Sequence, residues 1–482
     1  MKKFLLIIVP LFCMLLFSGC TQESQTELNT YNLKLTYLED EQTLYGDMRV
    51  EYHNNTETPL DNVCFHLYPN AFREGSQQSV VSLANYNRAY YDGISYGDIE
   101  ILSANYEYEF VGEDENILKV ILSEELEPFE SINIRIEFET QLALINHRLG
   151  VGQNTINFGN FYPMLCVFEN GDFDMNGYHS NGDPFYSEVS NYEVELTFPK
   201  EYVCASSGEQ CENSVLDGNN ILKIKADKIR DFAFVLSKGF KKLSSVIEDT
   251  TINYFYYADK TPKNSLKTSE LALKTFNSKF GDYPYAQLSV VEASFVHGGM
   301  EFPNLVLISD MLDGEEVYAN VIVHEIAHQW WYGVVGNNQF DYGWLDEGLA
   351  EFSTALFYEA NPNYNVTKDD MVLKNQNNYK IFEKVYTNVV GGIDTSFNRP
   401  LNEYGSEQEY VYTAYVKAFL MHDSLYELIG AKKYEKCLKT YYKENALKIA
   451  RPENLIECFE RVSSRNLETF FDSWLNGKVR VE

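Results

Sequence analysis

HEIAHQWWYGVVGNNQFDYGWLDEGLAEF, residues 324–352, holds His324-Glu325-x-x-His328 and then, after residues 329–346, Glu347. Two histidines four apart lie on one face of a helix, one turn from each other. Each can aim an imidazole nitrogen at a common point about 2 Å away, as a zinc ion requires. Glu325 falls on the same turn, near that point without touching it, where a carboxylate can take a proton from an activated water. Glu347 is the third candidate ligand, and three protein ligands leave one position open for chemistry. H-E-x-x-H alone fixes only three residues and recurs by chance. Here its flanks, VIVHEIAHQWW, are strongly apolar, so the two imidazoles and the carboxylate need partners once buried. The Gly- and Asn-rich stretch from Gly333 to Gly343 reads as a turn into a second helix, WLDEGLAEFSTALFY, with Glu347 near its start.

The H-E-x-x-H-x18-E pattern resembles the aminopeptidase N and leukotriene hydrolase family of gluzincin metallopeptidases. Other stretches agree. His297-Gly298-Gly299-Met300-Glu301 resembles the family's G-x-M-E-N segment, about two dozen residues ahead of the zinc helix. FGDYPY (280–285), Tyr415-Val416-Lys417-Ala418 and NLETFFDSWLNG resemble further parts of its catalytic domain. FHLYPNAF (65–72) and GDPFYSEVSNYEVELTFP (182–199) resemble its N-terminal β domain. The likeness runs from about residue 30 to the end. Two positions depart from it: Phe302 stands where G-x-M-E-N has Asn, and Ala418 where Y-x-K-G has Gly.

The resemblance implies one Zn2+ per chain on His324, His328 and Glu347, with Glu325 as general base and Tyr415 as hydrogen-bond donor to the oxyanion. Spacing from Lys417 selects Tyr415 over Tyr410 and Tyr412. The resemblance also makes Glu301 the anchor for a free α-ammonium, within a substrate-binding segment of Gly298, Gly299, Met300 and Glu301. Relatives add a second anchor from the β domain; Asn154, Asn157 and Asn160 are the candidates. Glu351 and Asp346 are near enough in sequence to support the ligating histidines, but helix-surface or capping roles suit them better. The implied function is aminopeptidase action on peptides. A thermolysin-type endopeptidase, an epoxide hydrolase and an inactive peptide-binding lipoprotein are the rivals.

The implied fold is multidomain α+β: an antiparallel β domain over residues 31–242, then a thermolysin-like, mostly helical domain over 243–482. The residues support that division. TLYGDMRVEYHN, SINIRIEFET, YEVELTFP and NILKIKAD alternate with period two, and clusters such as NNTETP and LDGNN separate them. Beyond residue 240 the period changes. SLKTSELALKTFNSKFG sets Leu266, Leu273, Phe276 and Phe280 on one helical face, with Gly281 as the stop. QLSVVEASF reads as a strand, and the pattern is mostly helical from Glu409 onward. Larger relatives append further domains, so this chain reads as a short form.

Residues 1–19 read as a leader, with Lys2 and Lys3 before an apolar stretch from Phe4 to Phe17 that is short for a membrane span. LLFSGC resembles a bacterial lipobox. This implies lipid on Cys20, a polar tether over 20–30, and an extracytoplasmic protein held to the cell membrane by its anchor. The formal net charge of −32 argues against nucleic acid or anionic lipid as a partner. Six cysteines follow Cys20 without C-x-x-C spacing. Cys204 with Cys211 and Cys437 with Cys458 are the pairings to consider, beside unpaired and mostly buried thiols.

Overall fold

The computed structural model describes residues 27–481. The expected leader, Cys20 and the tether as far as residue 26 lie outside the described residues. Seven strands make the main sheet of the first half: Thr30–Leu38 (β1), Thr43–His53 (β2), Asp98–Ala104 (β3), Ser131–Gln141 (β4), Ser190–Pro199 (β5), Glu209–Leu216 (β6) and Asn219–Ile229 (β7). Their order is β6-β7-β5-β1-β2-β4-β3. In β2 the alternation acts as the sequence predicts: Leu44, Met48, Val50 and Tyr52 are buried while Arg49 and Glu51 face water. One pairing departs from the expected antiparallel pattern. β1 runs parallel to β5, with Thr30 opposite Asn191. Parallel neighbours need a long crossover, and the chain from Leu38 to Ser190 provides it.

The second half starts with a five-stranded sheet of Lys241–Ile247 (β8), Thr250–Tyr256 (β9), Gln287–Ala293 (β10), Gly299–Met300 (β11) and Leu305–Ser309 (β12), in the order β8-β9-β10-β12-β11. β11 is therefore an edge. Helices Pro262–Phe280 (α1), Glu315–Ala327 (α2), Gln339–Ala360 (α3), Lys368–Val390 (α4) and Ala418–Ile429 (α5) follow, and three more reach Leu475. Leu273, Phe276 and Phe280 of α1 are buried, and Phe276 packs edge-on to Trp330 at 5.6 Å. Gly281, at φ +137°, ends α1. Among the described residues no helix is long and apolar enough to cross a membrane.

α3 begins earlier than the glycines suggest. Asn338 caps it, its side-chain oxygen accepting from the Asp341 N–H at 3.1 Å. Tyr342 breaks the helical dihedrals and the helix resumes, so Glu347 sits well inside α3. Gly343 is not a turn residue but a close approach: a Cβ there would lie 2.3 Å from the Tyr410 hydroxyl oxygen. The six described cysteines are free thiols, Cys211 exposed and the others buried, so neither candidate disulfide is present. Phe302, where relatives have Asn, is buried with its ring against Gly159 of the β domain, and any Cβ on Gly159 would collide with it.

One buried cation ties the halves together around the metal helices. Arg230, at the start of the loop after β7, is 1% exposed. Its guanidinium donates to the carbonyls of Tyr332 (2.8 Å), Ser187 (3.0 Å), Val334 (3.2 Å) and Lys448 (2.5 Å). Tyr332 is held at φ +110°, where non-glycine residues are strained, inside the connection between α2 and α3. Arg230→Ala strips the buried Tyr332 and Ser187 carbonyls of their donor, each at a cost of about 1–3 kcal/mol, while Val334 and Lys448 keep backbone donors from Leu447 and Gly336. We expect a loss of about 3 kcal/mol or more, read as a lower urea midpoint. A loss below about 1 kcal/mol would mean that the connection is held by other contacts.

Candidate active site

A cleft of about 450 Å³ lies between the two halves. At its floor, α2 and α3 bring three donor atoms together. His328 Nε2 is 3.1 Å from His324 Nε2 and 3.2 Å from Glu347 Oε2, and His324 Nε2 is 3.3 Å from the same carboxylate oxygen. A tetrahedral zinc with bonds of about 2.0–2.1 Å holds its ligands about 3.3 Å apart. All three residues are buried, and two nitrogens plus one carboxylate oxygen is a catalytic zinc donor set. The residues fit the ion on spacing, burial and chemistry.

Neighbouring groups orient these donors. The Trp331 carbonyl lies 3.0 Å from His328 Nδ1, leaving Nε2 for the metal point. Glu351 Oε1 is 3.4 Å from His324 Nδ1. Asp346 is 3.8 Å from His328 Nδ1 and is engaged elsewhere, accepting from Asn337 and Gln339 at 2.8 Å each. Burial opposes the charge on Glu347, but His328 and His324 outweigh it and hold the carboxyl down at about 2.

Glu325 lines the cleft and is buried, and burial pushes its carboxyl up to about 7. Its position depends on Gly299, where a Cβ would come 2.3 Å from Glu325 Oε1. Tyr415 stacks on His324, ring centroids 6.2 Å apart, and its hydroxyl donates to Glu347 Oε1 at 2.5 Å. It projects from a π-helical stretch, Val411–Lys417, a local distortion that recurs at functional sites. Tyr410 is packed edge-on behind Tyr415 at 5.5 Å, and Tyr412 stacks on Phe382 of α4. Of the three tyrosines only Tyr415 lines the cleft.

Gly298, Gly299 and Glu301 line the opposite wall; Met300 does not. Its side chain is 1% exposed and packs into the core shared with the β domain, because alternation along β11 turns it away from the cleft. Ser309 N–H bonds the Gly298 carbonyl at 3.0 Å, flanking the Gly299–Ile308 pair. The N–H and carbonyl of Gly299 therefore point away from β12, toward the open edge. Glu301 is buried, accepts from Gln339 Nε2 at 2.7 Å, and has its carboxyl raised by burial and then by Asp183.

Asp183 is the residue that the sequence reading missed. Asp183, Glu301 and Glu347 each place a carboxylate oxygen within 4.8 Å of the others. Asp183 comes from the β domain and is paired with buried Arg148. The three candidate asparagines lie outside the cleft. Asn157 donates to the carbonyls of His147 and Ser294, Asn160 to Asp231, and Asn154 to Asp310, so they fasten loops and domains instead. Asp183 stood inside GDPFYSEV as a turn-forming Gly-Asp-Pro; its companion signal was Arg148, an arginine in the apolar run before Gly150.

Residues 264–474 match the Peptidase family M1 domain. This chain carries an M1 peptidase domain. Over these residues the chain is similar to the M1 peptidases, and the helix pair within the matched span holds a donor set that fits a single catalytic zinc. Aminopeptidase B of Mus musculus is 27% identical over 225 residues, 42% of this chain and 33% of that protein. Aminopeptidase 2 of Candida albicans is 27% identical over 207 residues, 38% of this chain and 22% of that protein. The chain thus matches about a third or less of these curated relatives. The M1 zinc metallopeptidase from Deinococcus radiodurans shares the fold, with TM-score 0.66 and 16% identity over 94% of this chain and 95% of that one.

The geometry sets the three metal donors apart from Glu301, and zinc content reads the difference. His328→Ala is expected to purify with well under one zinc per chain, and Glu301→Ala with about one, because Glu301 belongs to the other wall. Equal zinc in both variants would contradict this donor set.

Proposed function

We propose that the chain is a zinc-dependent aminopeptidase that removes N-terminal residues from peptides outside the cytoplasm. The observation that carries the proposal is the convergence of Asp183 and Glu301 on the metal point. Two carboxylates at that end of the cleft supply a counter-charge for an α-ammonium and oppose an uncharged chain continuing through them. An endopeptidase needs that end open and neutral, so the thermolysin-type rival fits less well. A peptide-binding protein without catalysis has no need of both Glu325 and Tyr415 at the floor.

Zinc, when bound, would supply Lewis acidity, lowering the pKa of a water and polarising a carbonyl oxygen. The chain's own residues do the rest. A peptide adds to the open edge of β11, its backbone paired with Gly299. Glu301 and Asp183 hold the ammonium and fix which carbonyl is presented. The Glu325 carboxylate accepts the proton of the attacking water and returns it to the departing amine. The Tyr415 hydroxyl turns from Glu347 to donate to the developing oxyanion.

Wild-type protein is expected to hydrolyse aminoacyl amides but not their N-acetyl forms, and a chelator should abolish turnover. Glu325→Gln should keep its zinc and lose about 10³-fold or more in kcat. Tyr415→Phe should lose about 10²–10³-fold, whereas Tyr412→Phe should change little. Cleavage of acetylated substrates at equal rates would overturn the exopeptidase reading. For location, the support is the basic-apolar-LFSGC order of residues 2–20. Cys20→Ala should shift the protein from the membrane fraction to the soluble one; unchanged partition would refute the anchor.

A further inference from the structure

The cleft is lined by six carboxylates, Asp183, Glu301, Glu325, Glu347, Glu351 and Glu407, and by two arginines. Arg148 is buried and paired with Asp183. Arg88 is different. It lies on the short helical turn Tyr86–Ala89 of the β domain, exposed at the cleft, and reaches across to the catalytic domain. Its nearest polar contacts are neutral and long: Asn85 Oδ1 at 3.5 Å and Met311 Sδ at 3.7 Å. Neither is a good hydrogen bond. The nearby carboxylate, Glu407, is already engaged by Asn85 Nδ2 at 3.2 Å and by His297 Nδ1 at 3.5 Å. Arg88 is thus a cation without an ion-pair partner among the described residues, at the mouth of an acidic cleft.

Its place along the cleft follows from the strand edge. With the ammonium at Glu301, a peptide pairing antiparallel to β11 passes Gly299, then Gly298, then His297. His297 touches Glu407, Glu407 touches Asn85, and Asn85 touches Arg88. At about 3.4 Å per residue, a peptide of about four residues spans the same length as Glu301 back to His297. Arg88 and His297 line the same cleft, so the free end is directed toward the side on which Arg88 stands.

We propose that Arg88 receives the C-terminal carboxylate of a short peptide, so that the enzyme reads both ends of its substrate and favours peptides of about three to five residues with a free C-terminus. The inference rests on the aminopeptidase reading and adds a length rule to it. Guanidinium–carboxylate hydrogen bonds are charge-assisted and about twice as strong as neutral ones, so the free acid should be preferred over the amide at the matching length. The carboxylate could also come from an acidic side chain of a longer peptide, and the test separates the two.

The experiment measures kcat/KM for Ala-based peptides of two to eight residues, each as C-terminal acid and amide, with amides carrying Glu at each position as a third arm. Wild type is expected to prefer acid over amide by about tenfold at one length near four, with the effect in KM. Arg88→Gln should bring that ratio to about one, and Arg88→Lys should keep part of it. A merely structural arginine would lower acids and amides alike and leave the ratio intact. Equal rates for acids and amides at every length, a ratio that survives Arg88→Gln, or a preference confined to Glu-bearing amides would overturn the length rule while leaving aminopeptidase action standing. No cleavage of any unblocked peptide would sink both.

Discussion

The constraint on which this structure depends is the crowding of carboxylates at the bottom of a largely buried cleft. Burial alone disfavours their charge, and burial together with neighbouring carboxylates raises Glu301, Glu325 and Asp346, the last two to about 7. A fold tolerates that only where cations compensate. Two such places are distinguishable. At one, His324, His328 and Glu347 meet with the spacing of zinc ligands. At the other, Asp183 and Glu301 converge within 4.8 Å of Glu347, a spacing suited to an ammonium. Under the proposed function, adjacent cation sites of these two kinds would put a peptide's first carbonyl beside the metal. Positioning of this sort accounts for much of an enzyme's rate gain.

The rest of the molecule serves to hold those charges in place. α2 and α3 carry the donors, and Arg230 of the β domain clamps their connection through its carbonyl bonds. Gln329 bonds the backbone of Phe302 and Asn304, fixing the turn after β11 against the end of α2. Gln339 bridges Glu301 and Asp346, so the carboxylates on the two sides of the cleft floor share one amide. Gly299 leaves the space that Glu325 occupies. Each device crosses an element boundary, and Arg230 and Asp183 bring the β domain to the cleft as well.

The metal donors were legible in the sequence because helical periodicity converts spacing directly into direction: positions 324 and 328 must share a face. Tyr415 was legible only through resemblance, since nothing in its spacing from His324 predicts a π-helical stretch. The start of α3 was misread because Gly343 looks like punctuation, whereas it makes room for Tyr410. Met300 was misassigned because a motif names residues without saying which face of the strand each occupies. Asp183 and Arg88 could not be placed at all by local pattern. Both stand on β-domain connections whose approach to the cleft depends on packing across more than a hundred residues of chain.

The most direct test is a crystal of zinc-loaded Glu325→Gln protein with an aminoacyl amide, measured with anomalous scattering at the zinc edge. The account predicts a single zinc peak bonded to His324, His328 and Glu347, with the substrate's ammonium within hydrogen-bond distance of both Glu301 and Asp183. A zinc bound elsewhere, or an amine directed away from those two carboxylates, would contradict it.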